Sequence, residues 1–363
     1  MSKPRVIAFY LPQFYPFPEN DEWWGKGFTE WTSVGKAKPL YRGHYQPKIP
    51  ADLGYYDLRV ASVREEQAKL AKEAGIEGFL YWHYWFGNGK RLMWEVFDEV
   101  LKTGNPDFPF CLGWANHSWY AKNWNKSATK GADKLLIEQR YYGEKDYRMH
   151  FDYVINAFKD PRYLKEDGKP IFYIFNSVDL PDDFMPLWQK WAKEEGLPGI
   201  YFIGQMKDGS NFESIMGKGY DAVSPKPSSR WAPQRTIMER LLLKIKRFAH
   251  PGVSAIPYRD MIPYLTNEKV DKEEFIVPFI MPNWDHSPRS GNSDVIFHDC
   301  KPEFFFLHAK KVFEIVKKKK NKIVFLKSWN EWGEGNYMEP DLKYGKGYIK
   351  ALKKAIDYVF TAK

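Results

Sequence analysis

The chain has 363 residues, of which 44% are apolar and 28% are charged, with a formal net charge of +9 at neutral pH. That length allows a large buried core, arranged either as two domains or as one barrel of the larger single-domain kind. No apolar run approaches the roughly 20 residues of a membrane-spanning helix. The opening residues MSKPRVIAFYLPQF also lack the apolar core and cleavage site of a signal peptide. We therefore expect a globular cytoplasmic protein without an integral membrane segment.

The positive charge is concentrated in basic tracts such as residues 240–247 and 310–322, where basic and apolar residues alternate at helical spacing. Solvated helix faces usually have this pattern, and the alternative is peripheral contact with a membrane or with a lipid-linked glycan. A nucleic-acid partner is not expected, because the chain has no glycine-rich phosphate loop and no RNA-binding signature. The two cysteines, Cys111 and Cys300, suit a reducing compartment and are too few for a thiol-bound structural zinc.

Aromatic residues are unusually frequent, with 15 Trp, 23 Tyr and 26 Phe making up 18% of the chain. Many lie beside polar residues in segments that are typical of loops. Such rings can stack on the C–H faces of sugars, and they could also stack on nucleic-acid bases. Because no nucleic-acid signature accompanies them, we expect an oligosaccharide or polysaccharide as the binding partner.

In chain order, eight short runs rich in apolar, β-branched and aromatic residues are typical of strands. They cover residues 6–12, 77–85, 108–116, 169–176, 199–205, 220–225, 275–285 and 322–332. Helical patterns follow at residues 59–75, 91–104, 145–158, 182–196, 212–219, 236–249, 302–320 and 348–360. Alternation without hairpin chemistry predicts βαβ units and a parallel sheet. Since no strand leads into GxGxxG or a Walker loop, we predict a single (β/α)₈ barrel domain over residues 1–363.

The carboxyl ends of the predicted strands become polar and aromatic together. In a barrel these ends converge on one rim, where active sites are built. A single polar strand end is often only a stop signal, but seven of them are difficult to explain in that way. We expect the following side chains to contact substrate: Tyr10, Gln13, His83, Tyr84, Asn116, His117, Gln205, Asn283, Trp284, Asp285 and Asn330.

The segment between the first two strands, from about Gln13 to Asp57, is too long for a simple connection and is rich in aromatics, Pro and Gly. One interpretation is a wall of a sugar-binding cleft, with Glu30 as a polar contact. The candidate stacking residues are Trp23, Trp24, Trp31, Tyr41 and Tyr45. The other interpretation is a self-packed plug over the end of the barrel.

The stretch SWNEWGEGNYMEP, residues 328–340, places Glu331 and Glu334 three apart at the end of the last predicted strand. Glycoside cleavage commonly needs two carboxyl groups in different protonation states. We expect Gly333 to let the chain turn, so that both carboxyl groups face one space. Burial against the two neighbouring tryptophans should raise a carboxyl pKa, and the like charges should separate the two values. Capping of the turn, or pairing with an arginine, would be the ordinary role for an isolated E-x-x-E.

Several long motifs resemble one family over nearly the whole chain. They are residues 8–59, starting AFYLPQFYPFPENDEWWGKGFTEW, then GFLYWHYWF, FPFCLGWANHSW, PNWDHSPRSG and SWNEWGEGNYMEPD. The chain resembles the WbsX-type proteins of bacterial polysaccharide clusters, which are similar to glycoside hydrolase family 99. The resemblance implies a (β/α)₈ barrel. It also implies retaining, endo-acting cleavage of α-mannoside-like bonds.

In family 99 one glutamate acts as base on the sugar 2-hydroxyl, giving an anhydro-sugar, and the other acts as general acid and then base. By motif these two map onto Glu331 and Glu334, and Tyr337 follows as a predicted substrate contact. The chain departs from its relatives at WANHSW, where an acidic residue is expected after the asparagine and His117 stands instead. That departure implies a changed contact in the subsite floor or an altered substrate.

Two other functional classes remain open. A glycosyltransferase of lipopolysaccharide, O-antigen or capsule synthesis must hold a nucleotide diphosphate, usually through a DxD metal motif or a glycine-rich helix start, and neither is evident. A non-catalytic glycan-binding barrel would keep the aromatics without needing Glu334. We expect no cofactor and no metal, because His83, His117 and Asp285 lack close ligand spacing.

Overall fold

The computed structural model of the protein describes residues 3–121, 134–206, 212–231, 253–291 and 295–361. The helix predicted over residues 236–249, together with the basic tract 240–247, lies outside this set. Across the described ranges, every helix is too short or too polar to cross a lipid bilayer.

The strands of the described residues run in chain order as follows: β1 Arg5–Tyr10, β2 Gly78–Trp85, β3 Arg91–Leu92, β4 Phe110–Trp114, β5 Trp119–Ala121, β6 Lys134–Ile137, β7 Lys165–Glu166, β8 Lys169–Ile174, β9 Tyr201–Gln205, β10 Ala222–Ser224, β11 Ser254–Pro257, β12 Phe279–Ile280, β13 Val295–His298, β14 Ile323–Leu326, β15 Asn330–Glu331 and β16 Asn336–Tyr337.

The helices of the described residues are α1 Pro18–Trp24, α2 Glu30–Lys36, α3 Ala61–Ala74, α4 Glu95–Thr103, α5 Glu144–Lys159, α6 Phe184–Glu194, α7 Phe212–Met216, α8 Pro227–Trp231, α9 Tyr258–Leu265, α10 Glu268–Asp271, α11 Ser287–Ser290, α12 Pro302–Val316 and α13 Gly347–Phe360, with a 3-10 turn at Trp332–Glu334. Seven of the eight predicted helices therefore form, within a few residues of the expected bounds.

Contacts divide the chain into two compact units, Gly78–Lys226 and the remainder, Met1–Glu77 with Pro227–Lys363. The Gly78–Lys226 unit holds parallel strands in the order β10, β9, β8, β4 and β2. These strands are buried along most of their length, as expected for a parallel sheet covered on both faces. Helices α4, α5 and α6 contribute buried faces to the same unit.

The remaining unit holds parallel strands in the order β1, β14 and β12, with Arg5 level with Ile323 and Phe279 level with Phe325. Helix α13 packs against both α12 and α3. The main sheet of the described residues has eight parallel strands, and the fold is a (β/α)₈ barrel, as predicted. The assignment of the whole chain to one domain stays a prediction.

Two local predictions were wrong, and one segment contains helices that were not predicted. Short antiparallel pairs do occur, since β3 pairs with β2, β5 with β6 and β7 with β8. The last predicted strand is split into β14 and β15, and β15 pairs antiparallel with β16. The long segment after β1 contains the helices α1 and α2. The strands and helices that were not predicted are only two to seven residues long, so they produce almost no periodic signal in the sequence.

Candidate active site

Glu331 and Glu334 lie on one tight turn beyond the parallel strand β14. The strand ends at Leu326, and the pairing of β15 with β16 then places Glu331 opposite Asn336. Between these strands, Trp332–Glu334 form a single 3-10 turn. A hydrogen bond involving Glu331 acts on the carboxyl group of Glu334, so the two side chains lie close together. The turn therefore presents both carboxyl groups on one side.

The two carboxyl groups have different partners. Glu331 is 8% exposed, and its Oε1 accepts a hydrogen bond of 3.1 Å from the hydroxyl of Ser328. The side chain of Glu334 is 18% exposed, and its Oε1 lies 2.5 Å from Nη1 of Arg289. Nε2 of His286 is 3.6 Å from the same oxygen. Glu334 is thus the more strongly charge-paired of the two.

Arg289 joins two carboxylates that are far apart in sequence. It lies on α11, and its Nη2 is 2.7 Å from Oε1 of Glu30, the first residue of α2. The charge of Glu331 also acts on this guanidinium. One arginine therefore balances part of the charge of three carboxylates.

Arg289 sets the protonation state of Glu334. Burial raises the pKa of this carboxyl group, but the charge of Arg289 and the hydrogen bond and charge of His286 outweigh it, as does a hydrogen bond involving Glu331. The net result is a pKa of Glu334 well below its ordinary value. The expectation that burial would raise the carboxyl pKa at this turn is therefore wrong for Glu334. The physical reason is a guanidinium supplied by a distant segment.

The buried carboxylate of Glu30 supports the turn that carries Glu331 and Glu334. It is 2% exposed, and its Oε1 accepts a hydrogen bond of 2.7 Å from the backbone N–H of Gly333. A Cβ atom at position 333 would collide with the Glu30 carboxylate and would lie 3.0 Å from Nε of Arg289. Glycine is thus required at 333 for this close approach. It is Gly335, at φ +53°, that has the left-handed turn conformation. Glu30 is a buried support of the turn, and its role as a sugar contact stays a prediction.

Asp285 holds the other side of the same turn. Its backbone N–H donates to the carbonyl of Glu334 at 2.7 Å, and its Oδ2 lies 2.8 Å from Nε2 of His44 and 2.6 Å from Nε2 of Gln46. Since Nδ1 of His44 accepts from the backbone N–H of Leu40, Nε2 is the protonated nitrogen and donates to Asp285. Burial raises the pKa of Asp285, but the hydrogen bond from His44 and the nearby positive charge lower it well below its usual range.

A fully buried acid, Glu339, lies beneath the turn. Its carboxyl group accepts hydrogen bonds from Nε1 of Trp332 at 2.6 Å, the hydroxyl of Tyr56 at 2.9 Å and Nε2 of Gln67 at 2.6 Å. Burial raises the pKa of Glu339 to about 7, against the lowering effect of these donors. The ring of Trp332 also stacks on Tyr337, with centroids 3.8 Å apart. The turn that carries Glu331 and Glu334 is therefore anchored through its tryptophan.

The aromatic residues after β1 fall into two groups. Trp31 packs edge-on or tilted against the following rings: Phe14, Tyr55, Tyr56 and Trp332. It also donates from Nε1 to the carbonyl of Tyr56 at 2.8 Å, so it belongs to a packed cluster. Trp23 and Trp24 are half-buried on α1. Tyr41 and Tyr45, in contrast, line a cavity of about 770 Å³. The packing of Trp31 agrees with the plug interpretation, whereas a sugar-binding wall that includes Tyr41 and Tyr45 stays a prediction.

His83 lies in a buried cluster of the Gly78–Lys226 unit. Its Nε2 is 2.7 Å from Nε2 of His150, whose ring stacks on Trp85 at 4.7 Å. Burial lowers the pKa of His83 to about 3, with a further contribution from the charge of Arg91, and burial also lowers the pKa of His150. Both rings are therefore neutral, and one donates to the other. The role of His83 as a substrate contact stays a prediction.

Five further predicted contacts are buried and bonded to protein groups. They are Tyr10, Asn116, Gln205, Asn283 and Asn330. The side chain of Asn330 bonds both the N–H and the carbonyl of Leu11, at 2.7 and 3.0 Å. A buried amide that ends a strand needs such partners, and here the partners are backbone groups of neighbouring loops. These hydrogen bonds hold the five side chains in place, and their role as substrate contacts stays a prediction.

The remaining predicted contacts differ in access. Tyr84 and Tyr337 are buried, and the hydroxyl of Tyr337 donates to Asp341 at 2.6 Å. Gln13, His117 and Trp284 keep intermediate exposure. Burial lowers the pKa of His117 to about 4, so its ring is neutral at pH 7. These three side chains remain predicted substrate contacts.

Sequence reasoning missed the charged partners of the two glutamates. His286 and Arg289 stand in the motif PNWDHSPRSG, and Glu339 stands eight residues after Glu331. Their types were visible, yet nothing in the sequence spacing links α11 to the turn at Trp332–Glu334. The motif itself was the available signal, since a short stretch combining His, Arg and Asp beside a strand end is typical of a site.

Comparison with known proteins identifies the family. The family model described as "Glycosyltransferase WbsX" matches residues 6–352. The chain belongs to the WbsX family. The uncharacterized protein WxcX of Xanthomonas campestris pv. campestris, strain ATCC 33913, is 32% identical over 359 residues, which are 97% of this chain and 49% of that protein. WxcX of strain B100 matches with the same identity and coverage. The chain thus spans about half the length of the curated relatives it matches.

Solved structures with the same fold include a glycoside hydrolase-like protein, with a TM-score of 0.61 at 17% identity, covering 98% of this chain and 94% of that one. The GH99 endo-α-mannosidase of Bacteroides thetaiotaomicron, in complex with bis-tris propane, has a TM-score of 0.57 at 14% identity and covers 98% and 97%. At these identities the likeness establishes the fold. Both glycoside hydrolysis and glycosyl transfer are named among the proteins that this chain resembles.

Proposed function

We propose that this WbsX-family chain is a retaining glycoside hydrolase that cleaves an α-mannoside-like bond within a bacterial polysaccharide or oligosaccharide. The observation that carries the proposal is the pair Glu331 and Glu334, presented on one side of a turn that Arg289, Glu30 and Asp285 hold in place. The endo-α-mannosidase name of two fold neighbours supports the substrate class.

The route implied by the family 99 resemblance uses both carboxyl groups. In the first step Glu331 takes the proton of the sugar 2-hydroxyl, O2 attacks C1, and the bond from C1 to the leaving oxygen breaks as Glu334 protonates that oxygen. The product is a 1,2-anhydro-sugar. In the second step Glu334 takes a proton from water and the water oxygen attacks C1, the bond from C1 to O2 breaks, and O2 regains its proton from Glu331. Two inversions give net retention.

This route places a requirement on Arg289. In the free protein the pKa of Glu334 is held well below its ordinary value, so the carboxyl group has no proton to donate. Glu334 can act as an acid only if substrate binding weakens the ion pair, which now measures 2.5 Å. A sugar hydroxyl that accepts a hydrogen bond from Arg289 would draw the guanidinium away from Glu334. A carboxyl group with less positive charge nearby has a higher pKa and is more easily protonated.

Substitution of each glutamate tests the proposal. On a hydrolysable glycan, Glu334→Gln should lose most activity against poor leaving groups, yet keep more against an activated aryl glycoside, which needs little protonation. Glu331→Gln should lose activity on both alike. The control is Glu314→Gln, an exposed residue on α12 that should retain full activity. A substrate with fluorine in place of the 2-hydroxyl should resist the unaltered protein. Undiminished turnover in the double Gln variant would refute the assignment.

A second candidate, glycosyl transfer, is favoured by the family description "Glycosyltransferase WbsX". A transferase would form product only when a nucleotide-sugar donor is supplied. Incubation of one acceptor glycan with and without such donors, followed by mass spectrometry, separates the two reactions: hydrolysis shortens the glycan without a donor, and transfer lengthens it with one. A protein that only binds glycans would do neither, and its affinity would survive both Gln substitutions.

A further inference from the structure

The cavity lined by Tyr41 and Tyr45 lies beside the turn that carries Glu334. It encloses about 770 Å³, within the range of roughly 300–1,000 Å³ that is common for ligand pockets. Asp285 and Lys48 form part of its lining, whereas Glu331 and Glu334 are not among the described residues that line it. The backbone N–H of Asp285 donates to the carbonyl of Glu334, and Nζ of Lys48 donates to the carbonyl of Gly335. The cavity therefore adjoins the turn that carries the two glutamates.

The lining of this cavity contains a buried ammonium group. Lys48 is 6% exposed, its Nζ donates to the carbonyl of Gly335 at 3.2 Å, and it lies 5.4 Å from the ring centre of Tyr337. Both of these contacts are to neutral groups, and the charge of Lys48 also acts on the carboxylate of Asp285. No carboxylate oxygen among the described residues is within ion-pair distance of this Nζ. A buried ammonium group without a carboxylate in direct contact is costly, and an anionic ligand that contacts it would offset part of that cost.

The acidic residues of the cavity are already occupied. Oδ2 of Asp285 is bonded by His44 and Gln46, and its Oδ1 accepts from the backbone N–H of Ser287 at 3.1 Å. Asp299 lies 3.3 Å from Nζ of Lys301. The other cations of the lining are Arg42 and Lys343, both exposed. The cavity is therefore positive in character.

Aromatic rings provide the second recognition element. Nζ of Lys343 lies over the rings of Tyr45 and Tyr344, at 4.6 and 5.1 Å from their centres. Tyr41 stacks on His44 with centroids 4.6 Å apart. The faces of such rings are electron-rich and attract the partly positive C–H groups of a sugar. Rings and ammonium groups together suit a ligand that is both a carbohydrate and an anion.

We propose that this cavity is a binding subsite for a negatively charged sugar residue, whose carboxylate or phosphate group is held by Lys48 and Lys343 while its ring packs on the tyrosines. The inference rests on the proposed function only in taking the ligand to be a carbohydrate. It does not require Glu331 or Glu334 to be catalytic. A polysaccharide containing uronate or sugar phosphate would place its acidic unit here.

Ligand-observed NMR titration of the full chain tests this proposal, with glucose, glucuronate, glucose 6-phosphate and UDP-glucose as probes at low salt. At least one of the two acidic sugars should bind about tenfold more tightly than glucose, the effect of one hydrogen bond to a charged group. The preference should weaken at 1 M salt. Comparison of glucuronate with glucose 6-phosphate shows whether the anion is a carboxylate or a phosphate.

Lysine variants locate the effect. Lys48→Met should abolish the preference for acidic sugars while leaving weak glucose binding. Lys343→Met should reduce the preference about threefold, and because Lys343 is exposed this substitution does not endanger folding. Lys272→Met, exposed on the same unit, is the control and should change nothing. Glu331→Gln should also bind the probes as the unaltered chain does, so failure of the hydrolase proposal can be recognised separately.

Three results would overturn the subsite. The first is equal affinity for glucose and both acidic sugars. The second is a preference that survives Lys343→Met unchanged, which would decide the matter even if Lys48→Met did not fold. The third is much tighter binding of UDP-glucose than of glucose 6-phosphate, which would assign the cavity to a nucleotide-sugar donor.

Discussion

Arg289→Met is expected to destabilise the protein by about 3 kcal/mol at pH 7. The guanidinium contacts Glu30 at 2.7 Å and Glu334 at 2.5 Å, and these side chains are only 2% and 18% exposed. Removal of one partner from a buried ion pair typically costs roughly 3–5 kcal/mol, because the remaining charge is left uncompensated. We take the lower end, since Arg289 itself is 25% exposed and water screens part of the interaction.

Urea denaturation of single and double variants measures this loss. Glu30→Gln in the Arg289→Met background should recover part of it, because the amide can still accept from Gly333 without leaving a buried charge. The control is Arg59→Met, an exposed residue whose partner Asp57 is half-buried, and its loss should stay below about 1 kcal/mol. A loss below 1 kcal/mol for Arg289→Met, or strict additivity with Glu30→Gln, would refute the reasoning.

The same experiment has a defined pH dependence. Because Arg289 lowers the pKa of Glu334 in the folded protein, the pair stabilises the fold above the ordinary glutamate pKa of 4.5. That contribution is lost as pH falls below 4.5 toward the lower value of the folded state. The difference between the unaltered chain and Arg289→Met should therefore be largest at neutral pH and should narrow in acid.

Two further predictions concern the same turn. Burial raises the pKa of Glu339 from 4.5 to about 7, so the folded state holds a proton that the unfolded state releases. The stability attributable to this group should therefore fall by roughly 3 kcal/mol as pH rises from 4.5 to 7. Glu339→Gln should remove that decline from urea denaturation curves taken across this range; an unchanged pH slope would contradict it. Gly333→Ala should cost roughly 1–3 kcal/mol and lower activity, because the new methyl group displaces the Glu30 carboxylate. The matched control Gly35→Ala, inside α2 with open space at its Cβ position, should be neutral or slightly stabilising, and equal losses at both positions would count against the close-approach argument.

Periodicity alone was sufficient for the repeating architecture. Apolar runs such as FLYW in β2 and FCLGW in β4 are buried along most of their length, and helices such as α3 and α5 lie close to their predicted bounds. The burial of a long strand or amphipathic helix is encoded in neighbouring residues, so a single sequence reveals it. The position of Glu331 and Glu334 just beyond β14 could be anticipated for the same reason.

The environment of those two glutamates was decided by tertiary structure. Arg289 and Glu30 reach the turn from segments 45 and 304 residues away from Glu334, and the sequence contains no periodic signal for such a meeting. Their arrival reverses the expected direction of the pKa shift at Glu334. Tertiary packing likewise directs the polar ends of several strands, among them His83 and Asn330, into buried hydrogen bonds. Residue type and local pattern set which groups end each strand, whereas long-range contacts set their charge, partners and exposure, because electrostatic and hydrogen-bond energies depend on distance in space.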